Sequence, residues 1–177
     1  MDIGFIVLCP DHKFADLKNS LGSIKRHCYN RECIGVVGNN ATADDIKKMK
    51  EICPIHKGKE TITSLVNVGM KKIKHDWAFI IFGGSRVTPC LERRFISFVK
   101  SDKDVLYPVV ERKCNFVEGC FNGVLFNTQF FKAVGDLPDA VAEKQNFNDF
   151  EIAKLLWSTD AIAQGAQFKG IVGMRII

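Results

Sequence analysis

The chain has 177 residues, 46% of them apolar and 25% charged, with a formal net charge of +5. That balance belongs to one globular domain, 1–177, because a single core commonly organises about 100–200 residues. No apolar run reaches the roughly 18 residues of a membrane span.

Ile3 to Cys9 is a continuous apolar run broken only by Gly4 and stopped by Pro10. Such runs fit strands covered on both faces, as in parallel sheets. Phe14, Leu17, Leu21, Ile24 and Cys28 then recur at steps of three and four, the stripe of an amphipathic helix. Cys33 to Val37 reads as a second strand closed by the turn cluster Gly38-Asn39-Asn40. Thr42 is the expected cap of the next helix, with Asp44 and Asp45 complementing its dipole, and Pro54 ends it.

A third helix after Gly58 carries Ile62, Leu65, Val66, Gly69, Met70 and Ile73 on one side. Trp77 to Phe82 (WAFIIF) is the strongest strand pattern, followed by the tight loop Gly83-Gly84-Ser85-Arg86. Leu91, Phe95, Phe98 and Val99 mark a fourth helix. Val105 to Val110 and Gly123 to Phe126 read as strands, and Phe130 and Phe131 as the core of a short helix. Ala140 to Asn146 reads as loop, Phe147 to Ser158 as the last helix, and Gln167 to Met174 as a closing strand. Strands alternate with helices over the first hundred residues. The expected fold is therefore α/β, an open, mostly parallel, doubly wound sheet with helices on both faces.

Seven cysteines at irregular spacing, without C-x-x-C, favour neither a disulfide framework nor a zinc site. They read as free core thiols. With a Met1-Asp2-Ile3 start that lacks a leader's basic flank, they predict a cytoplasmic protein. The lysines cluster on helix faces (Lys47, Lys48, Lys50; Lys71, Lys72, Lys74) without interleaved aromatics. This argues against nucleic acid, while the positive excess favours anionic ligands such as a nucleotide diphosphate. Walker, G-x-G-x-x-G, G-x-S-x-G, H-E-x-x-H and EF-hand patterns are absent. The four histidines, His12, His27, His56 and His75, are dispersed, and His27 and His75 read as helix-end residues. In an open α/β sheet, ligands bind beyond the carboxyl ends of the strands. Attention therefore falls on Cys9-Pro10-Asp11-His12, Gly38-Asn39-Asn40 and Gly83-Gly84-Ser85-Arg86.

The order of these pieces resembles the family 2 glycosyltransferases of the GT-A, nucleotide-diphospho-sugar transferase fold. A first strand ends in Pro10, and Val36 to Thr42 stands at the family's base-reading turn. Asn67-Val68-Gly69 is similar to its Asn-x-Gly element. Trp77 to Pro89 is similar to the strand that carries its acidic D-x-D. Phe121 to Phe126 and Phe131 to Pro138 look like its Gly-rich strand and V-G-x-φ-P turn. Asn148-Asp149 stands where its catalytic acidic dipeptide opens a helix. The resemblance runs from about Ile3 to Leu156, with residues 1–100 as the nucleotide-binding half and 101–177 as the acceptor and catalytic half. Gly83 and Ser85 replace the D-x-D carboxylates. The Mn²⁺ or Mg²⁺ that the resemblance implies thus lacks its usual motif, and no metal ligand is assigned. Asn39 and Asn40 stand where an Asp often reads the base.

The resemblance implies a nucleotide-diphospho-sugar donor bound by Pro10, Asp11, Asn39, Asn40, Asn67, Gly83, Gly84, Ser85 and Arg86. Arg86 would neutralise the diphosphate, helped by the N–H groups of Gly84 and Ser85; a surface arginine after a turn is the alternative. Asp149, or Glu151 in its place, would be the general base, and both also fit as helix N-terminal carboxylates favoured by the dipole. Two functions stand open. One is metal-independent glycosyl transfer to an unknown acceptor. The other is a catalytically degenerate module binding a nucleotide, a sugar or a protein. The apolar C-terminal strand (Ile171, Val172, Ile176, Ile177) reads either as a contact for a protein partner or second copy, or as a buried edge strand.

Overall fold

The computed structural model describes residues 1–28, 31–109, 122–139 and 149–172. Strands β1 (Ile3–Cys9), β2 (Cys33–Gly38), β3 (Ile55–Gly58), β4 (Trp77–Phe82), β5 (Asp104–Val109), β6 (Val124–Asn127) and β7 (Gln167–Val172) form one sheet. Its order is β3-β2-β1-β4-β6-β5-β7. Helices α1 (Phe14–His27), α2 (Ala43–Lys50), α3 (Ile62–Lys72), α4 (Leu91–Phe98), α5 (Thr128–Val134) and α6 (Asp149–Ala163) cover it.

Both faces are covered because β1 is apolar throughout and all seven of its residues are buried. Phe5, Val7 and Cys9 pack with α1, α2 and α4 in one layer, and Ile6 and Leu8 with α3, α5 and α6 in the other. This alternation is the period-two geometry of a strand. In the second layer α3 lies so close to β1 that a Cβ on Gly69 would sit 2.6 Å from Ile6 Cγ2. That approach is what the glycine of Asn67-Val68-Gly69 permits. Phe126, Phe131 and Trp157 form an aromatic cluster with centroids 5.2–5.4 Å apart, and Trp157 Nε1 donates to the Gly135 carbonyl at 2.9 Å. These contacts seat α6.

The expected mostly parallel, doubly wound sheet is present. β1 pairs in parallel with β2 and β4, β2 with β3, and β5 with β7, whereas β6 runs antiparallel to both β4 and β5. Thr42 caps α2 as expected, its hydroxyl accepting from Asp45 N at 3.1 Å. Sequence reading passed over β3, because Ile-His-Lys-Gly is too short and polar to stand out. It is an edge strand, held by the register Gly35↔Ile55 to Gly38↔Gly58. β7 is the opposite edge, with Ile171 buried in the core. Ile176, Ile177, the loop 140–146, Phe147 and Asn148 lie outside the described residues. Among those described, no helix is long and apolar enough to cross a membrane.

Asp104, fully buried at the start of β5, anchors the β5–β7 edge. Its Oδ2 accepts from Lys169 Nζ (2.6 Å), Lys100 N (2.6 Å) and Ser101 N (3.0 Å). Burial pushes its pKa up, but the Lys169 hydrogen bond and the two N–H donors outweigh this and hold it below the ordinary value. A carboxyl whose folded pKa is depressed contributes stability above its unfolded pKa of about 3.9, and loses it as pH falls through the folded value. Asp104→Asn should therefore cost about 1–3 kcal/mol near neutral pH. In urea unfolding, the gap to the parent protein should narrow as pH is lowered below about 4.

Candidate functional site

The carboxyl ends of β1, β2, β3 and β4 and the amino end of β6 form one rim, because β6 runs against its neighbours. The strand order turns back between β1 and β4, which is where open α/β sheets form their binding crevice. A cleft of about 110 Å³ lies there, lined by Cys9, Pro10, Asp11, Lys13, Asp16, Phe82 and Gly83. Pro10, Asp11 and Gly83 line this cleft together with Lys13 and Asp16. Lys13 Nζ stands 4.0 Å from Asp11 Oδ2.

The turn after β4 is held on every side. Gly83 N donates to Leu8 O at 2.7 Å, Gly84 N to Asp16 O at 3.0 Å, and Ser85 N to Phe82 O at 3.1 Å. Ser20 Oγ donates to Ser85 O at 2.8 Å, and Asn122 Nδ2 to Ser85 Oγ at 2.7 Å. Asn122 Oδ1 also accepts from Phe82 N at 2.9 Å. The Gly84 and Ser85 N–H groups, expected to face a diphosphate, are therefore spent inside the protein. A Cβ on Gly83 would sit 2.9 Å from Cys9 Sγ and 3.3 Å from Asp16 Cβ. A carboxylate in the first D-x-D position has no room.

On the β2 side, Glu60 reaches across the rim from the β3–α3 loop. Its carboxylate accepts from Asn40 N at 2.6 Å and lies 3.4 Å from His12 Nε2. A side chain on Gly38 would collide with it. Lys57 Nζ meets the carbonyls of Asn39 (3.4 Å) and Ala41 (3.5 Å). Asn39 and Asn40 are exposed at the mouth of this turn. His12 adopts a left-handed φ of 56°, and its buried Nδ1 has no hydrogen-bond partner among the described residues.

Other expected residues sit elsewhere. Asn67 spends its amide on the chain after α5, donating to Leu137 O at 2.8 Å and accepting from Leu137 N at 2.9 Å. That pairing fastens the turn to α3, a structural task. Arg86 lines a depression on the outer face of α1 with Lys18, Asn19, Gly22, Ser23 and Arg26. It is not among the residues lining the β1–β4 cleft. Asp149 opens α6 and Glu151 lies in its first turn, half-buried. Because β7 begins beside the start of β5, α6 must descend toward that end, so its amino end lies on the rim side. Two of the seven cysteines, Cys114 and Cys120, lie outside the described residues.

The donor set does not fit the divalent cation of the family motif. Gly83 has no side chain, Ser85 Oγ is engaged by Asn122, and among the described residues no three His, Cys, Asp or Glu side chains group to hold an ion. Cys9 is buried at the end of β1. Burial, then the nearby Cys53, Asp16 and Asp11, pushes its thiol up to about 12. Burial likewise raises Cys28 and Cys33 to about 12 and Cys53 to about 11, as core thiols should behave.

Glu60, Asp16 and Asn122 were missed as site residues. Asp16 reads as an ordinary first-turn helix acid, and Glu60 as part of a charged loop. Only the three-dimensional closeness of β1, β3 and β4 gives them a place. The glycine after Asn122 was the one local hint at that third position.

No protein-family model and no curated protein matches the chain. Solved structures do. Crystal structures of S. aureus TarS match with a TM-score of 0.62 at 12% identity, over 99% of this chain and 36% of that one. The TarS 1-349 complex with UDP-GlcNAc matches at 0.61 and 11%, over 99% and 57%. The bifunctional IspDF from Campylobacter jejuni matches at 0.62 and 11%, over 100% and 52%. The fold is GT-A-like. Identity this low carries the likeness of fold alone, and the chain spans about a third to three-fifths of the length of these structures.

Restoring a carboxylate at the β4 turn should fail on steric grounds. Gly83→Asp is expected to lose about 1–3 kcal/mol through overpacking against Cys9, read as a lowered Tm, with no gain in Mn²⁺ affinity by calorimetry. In alkylation with iodoacetamide at pH 8 followed by mass spectrometry, exposed Cys90 should label well ahead of Cys9, Cys28, Cys33 and Cys53.

Proposed function

We propose that the rim between β1, β2 and β4 binds a nucleotide-diphospho-sugar in the manner of a glycosyltransferase donor site. The observation that carries this reading is the cleft at the reversal of strand order, on a fold shared with a protein crystallised with UDP-GlcNAc. Asn39 and Asn40, with Glu60 behind them, would meet the base. An exposed amide both donates and accepts, and the Glu60 carboxylate favours a ring N–H. Pro10, Asp11 and the Gly83-Gly84-Ser85 turn would border the ribose and diphosphate. Lys13 is the cation lining the cleft and takes the neutralising part that sequence reading gave to Arg86.

Transfer is the further half of the proposal. Asp149, or Glu151 one turn-position later, would take the proton of the acceptor hydroxyl as it attacks the anomeric carbon, while the nucleoside diphosphate leaves. Residues 1–100 would serve the donor and 101–177 the acceptor, within one domain. No step is routed through a metal, because the residues present do not supply the motif's donors. The setting is proposed as cytoplasmic, in keeping with buried free thiols.

The second reading is binding without transfer. It is favoured by the closed space at Gly83 and by a cleft that, among the described residues, carries two carboxylates, Asp11 and Asp16, against one lysine.

Calorimetry with UDP-GlcNAc and a panel of other nucleotide sugars, with and without Mn²⁺, decides between these readings. Metal-independent binding is expected, weakened roughly three- to tenfold in Lys13→Ala. Donor turnover lost in Asp149→Asn would support the enzyme. Tight binding with no turnover would leave the binding module. Absence of binding to every donor would overturn both.

A further inference from the structure

We infer that the outer face of α1 carries a second ligand site, for the phosphate group of a small phosphorylated molecule. Lys18, Gly22 and Arg26 stand four residues apart, on one exposed stripe of the helix. Arg86 arrives from the β4–α4 loop and completes a depression of about 240 Å³ with them, Asn19 and Ser23.

Its placement is built in. Buried Ser20 donates to the Ser85 carbonyl at 2.8 Å, and buried Ser23 accepts from Val87 N at 3.1 Å. The backbone on both sides of Arg86 is thus fastened to α1, which aims the guanidinium's loop at the Lys18–Arg26 stripe. A surface arginine on a free loop would need no such anchors.

Gly22 points the same way. Glycine in a helix interior costs about 1 kcal/mol relative to alanine, and neither of the usual reasons applies. A Cβ there would meet nothing within 4 Å, and Gly22 is not among the residues with positive φ. Gly22 lines the depression between Lys18 and Arg26 and adds no side chain to it.

The charge is also uncompensated. Among the described residues no carboxylate lines the depression, and no ion pair joins Lys18, Arg26 or Arg86. Some cations elsewhere are paired, as in the fork of Arg31 on Glu92 at 2.7 Å and the Lys71–Asp136 bridge; what marks the α1 face is that three cations line one depression. Three converging positive groups, two of them planar forks, match a tetrahedral oxyanion. The Asn19 amide adds a neutral donor at the edge. The site is separate from the β1–β4 cleft and does not depend on the donor reading.

The test uses inorganic phosphate and glucose 6-phosphate as probes, at low ionic strength and without nucleotide, followed by amide NMR shifts. Saturable shifts confined to residues 18–26 and 84–87 are expected. Arg86→Ala and Arg26→Ala should each weaken binding about three- to fivefold, as loss of one exposed charge pair does. Gly22→Leu, which fills the floor and keeps every charge, should weaken it comparably, while Lys48→Ala on α2 should leave it unchanged. Tighter binding of the sugar phosphate identifies an organic phosphate as the ligand, and equal binding identifies free phosphate. Shifts that never saturate, that appear in the β1–β4 cleft instead, or that respond equally to Lys48→Ala would overturn the site.

Discussion

The rim is organised around the hydrogen bond from Gly83 N to the carbonyl of Leu8. It extends the parallel pairing of β4 with β1 one step past the end of the strand and draws the following turn over α1. Gly84 N then reaches Asp16 O, Ser20 reaches Ser85 O, and Ser23 takes Val87 N. These bonds fasten the main chain of the turn to α1 at three points. The cleft at β1 and the basic depression on α1 are two sides of this one seam. Glycine at position 83 is its condition, since Cys9 and Asp16 leave no space for a side chain.

This seam separates what the sequence shows from what only the fold shows. β1 and β4 were readable to the residue, because strands covered on both faces are continuous apolar runs bounded by breakers. The helix stripes and the Thr42 cap were equally plain. β3 was not, since an edge strand of four residues depends on its neighbour for half its hydrogen bonds and shows no pattern of its own. Nor was the reversed direction of β6. Apolar periodicity reports burial and is silent on which strand lies alongside.

The same division runs through the site. Pro10, Asp11 and Gly83 could be placed because strand ends point to the rim, whatever the details of packing. Asn67 matched a motif, yet its amide is occupied by Leu137, and the glycine two residues on is what lets α3 approach β1. Arg86 directly follows the rim turn in sequence, but the serine anchors carry it to the far side of α1. Glu60 and Asp16 act across elements distant in sequence, so no local pattern announces them.

Carboxylates reach this rim from positions other than those of the D-x-D motif in the glycosyltransferases that the sequence resembles. Positions 83 and 85 carry none, and positions 39 and 40 are amides. Instead Asp16 Oδ1 would lie 3.6 Å from a Cβ on Gly84, and Glu60 binds Asn40 N from the β3–α3 loop. Asp16 belongs to the first turn of α1, where the helix dipole favours its charge. Among the described residues, Asp11, Asp16 and one lysine, Lys13, line the cleft, so its lining carries little positive charge. The uncompensated positive charge of the seam lies on the α1 side, with Lys18, Arg26 and Arg86. Among the described residues, the cleft between β1 and β4 is thus lined by more carboxylates than cations, while the neighbouring face of α1 carries three cations.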